Sequence, residues 1–323
     1  MMTLEEFLEE WNNDEETIAV KTSGSTGKPK WMRVEKKRMV ASARMTIGFL
    51  GLQPGQTALL CMPLDYIAAK MMVVRALVGG LRLISVQPDG HPMAQQTLAD
   101  EQVDFAAMVP LQVYNTMMVA EERERLARVG QLIIGGGAID QRLAERLNEL
   151  PHPVWSTYGM TETLSHVAMR RLNGNGMSEW YTPLDGVAVR QDEEGCLVID
   201  APSLSTDILH TNDVVRMHDD KRRFMVVGRK DNVVCCGGVK IQAEEVEKCL
   251  QPYIEVPFFI GKEKDEKFGE IVVMVAETEN KKLLEDIIGN VLPKYWIPRK
   301  IYTVSQLPLT QTGKPLRNLN FLE

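Results

Sequence analysis

Gln131-Leu-Ile-Ile-Gly-Gly-Gly-Ala-Ile-Asp140, running on through Gln141-Arg-Leu-Ala-Glu-Arg-Leu-Asn-Glu149 to Val154-Trp-Ser-Thr157, reads as strand, helix and strand. The first run is short, apolar and closed by glycines, as a buried strand is, and residues 140–149 carry helical spacing. The same alternation extends back to residue 17. Strands are expected at Thr17-Ile-Ala-Val-Lys21, Thr57-Ala-Leu-Leu-Cys-Met62, Leu81-Arg-Leu-Ile-Ser-Val86 and Asp104-Phe-Ala-Ala-Met-Val109, with helices near 36–50, 66–79 and 111–128. Apolar strands alternating with amphipathic helices imply a layered α/β core with a largely parallel sheet.

After Thr163 the texture changes. Val187-Ala-Val-Arg190, Cys196-Leu-Val-Ile199 and Phe224-Met-Val-Val227 are short alternating segments between Gly and Asp, and they suggest a small antiparallel sheet or distorted barrel. From about residue 231 the order is turn, helix (243–250), strand (256–260), strand (270–276), helix (281–292) and terminal loop, a compact α+β unit. The polar Gly228-Arg-Lys-Asp-Asn232 is its natural boundary, giving expected domains 1–229 and 230–323.

The chain has 323 residues, room for about two domains, and a net charge of −7, which argues against a general nucleic-acid binder. No apolar run has the length of a membrane span. The N-terminus carries acidic residues where a signal peptide is basic. Thr3 and Glu6 instead form a capping box for a helix whose Leu4, Phe7, Leu8 and Trp11 share a face. The five cysteines have no CxxC spacing, so a reducing, cytoplasmic protein without structural metal is expected.

Five segments carry the chemistry. Thr22-Ser-Gly-Ser-Thr-Gly-Lys-Pro-Lys30 follows a strand, and its glycines, hydroxyls and lysines suit phosphate oxygens, although such a turn also serves as a plain solvated loop. It is not a Walker loop, because Pro29 follows Lys28. Gly135-Gly-Gly137 would let a flat ring lie on the backbone, or form an ordinary strand-to-helix turn. Tyr158-Gly-Met-Thr-Glu-Thr163 stands at a strand's carboxyl end, where ligands of open α/β sheets bind; as a helix start, Thr161 would be a cap and Glu162 would favour the dipole. His210-Thr-Asn-Asp213 with Gly228-Arg229 offers a carboxylate for a ribose diol and an arginine behind it. Pro308-Leu-Thr-Gln-Thr-Gly-Lys-Pro-Leu-Arg317 places Lys314 on a Gly turn.

In this order the set resembles the adenylate-forming superfamily of acyl-CoA synthetases, luciferases and peptide-synthetase adenylation domains. The hallmark loop is matched by Ser23 to Lys30, and the aromatic-Gly-x-Thr-Glu motif by Tyr158 to Glu162. Asp213 matches the ribose aspartate, with Asn212 where the family usually has glycine. The resemblance implies an enzyme that uses ATP, Mg²⁺ and coenzyme A on a small carboxylic acid, by way of an acyl-adenylate. It implies that Ser23, Gly24, Ser25, Thr26, Gly27 and Lys28 hold the β- and γ-phosphates, and that Gly135, Gly136, Gly137 and Tyr158 frame the adenine. Thr161 would contact the α-phosphate, Glu162 the metal, and Asp213 with Arg229 the ribose. Lys314 would bridge the reacting carboxylate and phosphate. Asp231 would be the hinge about which Gly237 and Gly238 swing to line a thiol channel.

Two departures follow. The chain is short for the family, with the deficit ahead of the phosphate loop, so part of the pocket wall must be absent, rebuilt or supplied by a second subunit; a homodimer would cover the exposed sheet edge. Pro63-Leu-Asp-Tyr66 stands where many relatives have an aromatic-gate histidine. For the acid pocket the candidates are Tyr66, Lys70, Arg75 and His166. A cation there would suit a second carboxylate, yet Lys70 and Arg75 fit solvated helix charges more readily, and His166 a satisfied polar residue. The run Leu64 to Arg75 and the shortened architecture look like compact bacterial o-succinylbenzoate–CoA ligases of menaquinone synthesis. Other aryl- or acyl-CoA ligases, a carrier-loading adenylation module and a non-catalytic nucleotide-binding protein stay open.

Overall fold

The structure is a computed structural model that describes residues 2–21, 31–308, 316, 317, 319 and 321. The chain divides into two compact units: Met1–Val189 with Ile199–Leu209 and His218–Phe224, and Arg190–Val198 with His210–Met217 and Met225–Glu323.

The first unit begins with helix α1 (Leu4–Asn12), closed by the expected capping box: the Glu6 N–H donates to Thr3 Oγ1 and the Thr3 N–H to Glu6 Oε2. Phe7 is fully buried, with Trp11 6.2 Å from it. Strands β1 (Thr17–Lys21) and β2 (Trp31–Glu35) pair antiparallel and lead into α2 (Lys36–Leu50). The buried residues of α2 are Met39, Ser42, Ala43, Thr46 and Leu50, one helical stripe that carries two hydroxyls.

The central sheet follows: β3 (Thr57–Leu60), α3 (Ile67–Gly79), β4 (Arg82–Ser85), β5 (Phe105–Met108), α4 (Pro110–Met118), α5 (Ala120–Leu126), β6 (Gln131–Ile134), α6 (Gln141–Leu147), β7 (Val154–Gly159), β8 (His166–Arg171) and β9 (Thr182–Pro183). Its order is β4-β3-β5-β6-β7-β8-β9, parallel from β4 to β7, with β8 and β9 antiparallel. β3 and β5 are buried at every position, as strands of a parallel sheet covered on both faces are. The single helix expected over 111–128 is two helices, because Val119 is extended (φ −109°, ψ 121°) and starts α5 by accepting from the Arg123 N–H.

A four-stranded sheet follows in sequential order: β10 (Ala188–Gln191), β11 (Cys196–Asp200), β12 (Leu209–Met217) and β13 (Phe224–Arg229). The second unit continues with β14 (Val233–Cys236), β15 (Val239–Gln242), α7 (Ala243–Leu250), β16 (Phe258–Asp265), β17 (Gly269–Glu277), α8 (Lys281–Val291) and β18 (Lys300–Val304). These strands form a sheet ordered β15-β14-β17-β16, with β18 parallel to β17. Val246, Leu250, Ile260, Met274 and Ile288 form its core. Among the described residues, no helix is long and apolar enough to cross a membrane.

Candidate active site

Because β4 to β7 run parallel, the segments that leave their carboxyl ends gather on one edge of the sheet. Gly135–Gly137 leave β6, Thr161 and Glu162 leave β7, and Pro63–Tyr66 leave β3 on the way to α3. Lys21, at the end of β1, forms a parallel bridge with Tyr66 on the same edge. Ser23, Gly24, Ser25, Thr26, Gly27, Lys28 and Lys314 lie outside the described residues.

The Tyr158–Glu162 motif is an elbow. Tyr158 packs edge-on to Phe224 at 5.1 Å and lies 5.9 Å from Tyr181. The register then shifts between Tyr158 and Gly159, and a methyl group on Gly159 would lie 2.3 Å from Ser165 O and 2.4 Å from His166 Cα. Only glycine admits so close a return of the chain. Thr161 to Thr163 make one 3₁₀ turn that ends at buried Leu164, whose φ of 65° is unusual for a side chain branched beyond Cβ. The helix start that would give Glu162 a dipole is therefore not formed. Thr163 Oγ1 fastens the elbow, accepting from the Met160 N–H at 3.0 Å and lying 2.6 Å from Ser165 O. Glu162 is exposed, and among the described residues no hydrogen bond or ion pair occupies its carboxylate. At Gly135 the close neighbour is Thr157 Oγ1, 2.6 Å from where a Cβ would stand.

The two cations of α3 are both buried, which corrects the expectation of solvated helix charges: Lys70 and Arg75 are each 2 % exposed. Lys70 Nζ donates to Ala19 O at 3.1 Å, lies 3.4 Å from Glu10 Oε2 and sits over the Phe7 ring. It binds α1 and β1 to the core. Arg75 has no carboxylate among the described residues. Its Nη2 donates to Ser165 Oγ at 2.5 Å, Nη1 lies 3.8 Å from Met72 Sδ, and among the described residues buried Nε has no partner. Burial pushes its guanidinium down to about 9, which leaves it charged at neutral pH. His166 is a buried ring held by Thr46 Oγ1 at 2.9 Å and Ser165 Oγ at 3.3 Å; burial first, then the Arg75 charge, keep it well below the ordinary histidine value. Tyr66 caps α3 and is 44 % exposed, apart from this buried cluster.

In the second unit, Arg229 joins two expected site residues: Nη1 lies 3.3 Å from Asp213 Oδ1 and Nη2 3.0 Å from Asp231 Oδ2. The Asp213 N–H donates to Thr211 Oγ1, whose hydroxyl donates to Leu197 O. Gly237 and Gly238 make the β14–β15 turn. Arg317, three residues beyond Lys314, donates to both Glu247 oxygens at 2.6 and 2.8 Å and to Ile260 O at 2.6 Å. Sequence reasoning missed Thr46, Ser165 and this clamp. The hydroxyls on the apolar stripe of α2 were the one signal for Thr46.

A parallel sheet with a glycine-closed elbow and a Thr-Glu pair at its carboxyl edge defines an α/β enzyme of the adenylate-forming architecture. The family model for the AMP-binding enzyme matches residues 8–202. A 2-succinylbenzoate–CoA ligase of Bacillus cereus is 25% identical over 340 residues, 96% of this chain and 70% of that protein. An acyl-CoA synthetase (AMP-forming)/AMP-acid ligase II-like protein from Dyadobacter fermentans is 35% identical, with a TM-score of 0.67 over 98% of this chain and 92% of its own. O-succinylbenzoate coenzyme A synthetase from Bacillus subtilis, solved in complex with ATP and magnesium ion, shares the fold with a TM-score of 0.78 at 20% identity, over 93% of this chain and 69% of that one. The chain belongs to the AMP-binding enzyme family of adenylate-forming enzymes.

Proposed function

We propose that this protein is an ATP-dependent acid–CoA ligase whose acid carries a second carboxylate, of the o-succinylbenzoate kind. The observation that carries the reading is Arg75, a buried guanidinium with an unpartnered Nε and no carboxylate among the described residues. An unmatched buried cation costs several kcal/mol, a cost that an anionic substrate would offset on binding. The curated relatives bear the name of such a ligase.

In the reaction, a carboxylate oxygen bonds to the α-phosphorus of ATP while the bond to pyrophosphate breaks. The sulfur of coenzyme A then bonds to the acyl carbon, AMP leaves with the electron pair, and the thiol proton passes to solvent. Both partners of the first step are anions, so catalysis is chiefly positioning and charge neutralisation. Ser23, Ser25, Thr26 and Lys28 would hold the outer phosphates, Thr161 the α-phosphate and Lys314 both reacting groups. Gly135 to Gly137 and Tyr158 would frame adenine, and Asp213 with Arg229 the ribose. The exposed Glu162, whose carboxylate has no partner among the described residues, fits Mg²⁺, a hard ion that takes carboxylate and phosphate oxygens and would neutralise phosphate charge. Rotation of residues 230–323 about Asp231 would exchange Lys314 for Gly237–Gly238 between the two steps.

Pyrophosphate release with a panel of acids is the test. o-Succinylbenzoate should exceed benzoate and fatty acids; equal signals would sink the specific assignment. No release with any acid, together with an inert Lys314→Ala, would sink the enzyme reading. Thioester and AMP appearing when coenzyme A is added separate the ligase from a carrier-loading module.

A further inference from the structure

One placement of the protons between α2 and Arg75 satisfies every donor and acceptor along the way. Thr46 Oγ1 donates its hydrogen to Ser42 O at 3.2 Å. The same oxygen can then only accept from His166, so His166 Nε2 carries the proton in the 2.9 Å bond between them. Nδ1 is thereby bare and accepts, at 3.3 Å, from the Ser165 hydroxyl. Ser165 Oγ in turn accepts from Arg75 Nη2 at 2.5 Å, as it must, because guanidinium only donates. The chain runs one way, from Arg75 to the backbone of α2, and satisfies each group it passes. At its start, Arg75 Nε has no partner among the described residues.

We infer that Thr46, His166 and Ser165 are positioning residues that fix the Arg75 guanidinium for an anionic group of the acid substrate. The inference rests on the reading of Arg75 as the anchor of the second carboxylate. The three residues reach Arg75 from a helix (α2) and from the end of the elbow that carries Thr161 and Glu162, so Ser165 and His166, which meet the anchor, follow the Thr-Glu pair through the turn at Leu164. A neutral His166 suits this task, since a second cation beside Arg75 in a dry site would repel it; its depressed basicity agrees with the geometry.

Thr46→Val keeps the side-chain shape and removes both ends of the relay at that residue. KM for o-succinylbenzoate should rise about tenfold, the loss of one positioned hydrogen bond, while the inhibition constant of benzoate and KM for ATP stay within about twofold. Thr46→Ser should restore KM. An equal rise for both acids, or no rescue by serine, means that Thr46 only supports the fold and overturns the proposal. In the unaltered protein, ¹⁵N shifts of His166 at neutral pH should report a neutral ring protonated on Nε2; protonation on Nδ1 overturns it without reference to activity. Arg75→Met separates the two readings. If it abolishes the preference for the dicarboxylate and Thr46→Val does not, the relay alone falls. If the unaltered enzyme has no such preference, the anchor falls and the relay with it.

Discussion

Lys70 and Arg75 are two cations of one helix, equally buried and five residues apart, and they live under opposite electrostatic conditions. Lys70 meets a carboxylate, Glu10, together with a backbone carbonyl and the face of Phe7. Arg75 meets a hydroxyl and a thioether, with the His166 imidazole on the far side of that hydroxyl. The first arrangement neutralises its charge within the protein and fastens the first helix. The second leaves a charge unmatched, which stability alone does not favour. Under the proposed function, matched charge marks structure here, and the unmatched charge is where the acid substrate would supply the counter-ion.

Three experiments would break or sharpen that contrast. Arg75→Met should lower kcat/KM for o-succinylbenzoate about a hundredfold, the range expected for a charged hydrogen bond lost from the bound state. Its melting temperature should hold or rise, because a desolvated cation has been replaced by an apolar chain; a large fall in stability would make Arg75 a structural residue like Lys70. Lys70→Met should do the reverse, costing about 2 kcal/mol in urea unfolding by stranding a partly buried Glu10, with KM for the acid little changed.

The smallest effect concerns His166. Its folded pKa is depressed by burial and by Arg75, so below the ordinary value of 6.5 the unfolded chain binds a proton that the folded chain refuses. The contribution of His166 to stability is therefore full above that value and is lost as pH falls toward the folded pKa, at up to about 1.4 kcal/mol per pH unit. His166→Gln should flatten this part of the profile between pH 7.5 and 5, measured by urea unfolding, and Lys70→Met should leave it in place.

The central strands were readable because a parallel sheet buried on both faces requires short continuous apolar runs, and residues 58–60, 105–108 and 132–134 are such runs. The N-terminal helix was readable from its box and its stripe. β12 was not: Leu209–Met217 mixes polar and apolar residues and buries only Val215 of its nine. The break at Val119 escaped because a single extended residue leaves the helical spacing on either side intact. In the candidate site, Tyr158, Thr161, Glu162 and Asp213 were proposed from local motifs, which depend only on residues beside them in the chain. Gly159 was visible as a motif letter, but its cause, the return of Ser165 and His166 onto it, was not.

The sequence alone determined the α/β alternation and the ordered motifs, because both depend on neighbours a few residues away. The fates of Lys70 and Arg75 were decided by the tertiary structure. Five residues turn a helix by about 140° beyond a full revolution, so the two side chains leave α3 toward different neighbours. Those neighbours, Glu10 and Ser165, are 60 and 90 residues distant in the chain. Local spacing carries no information about which of the two faces meets a carboxylate, and only the packing of α1 against one side and of the elbow against the other settles where the unmatched charge stands.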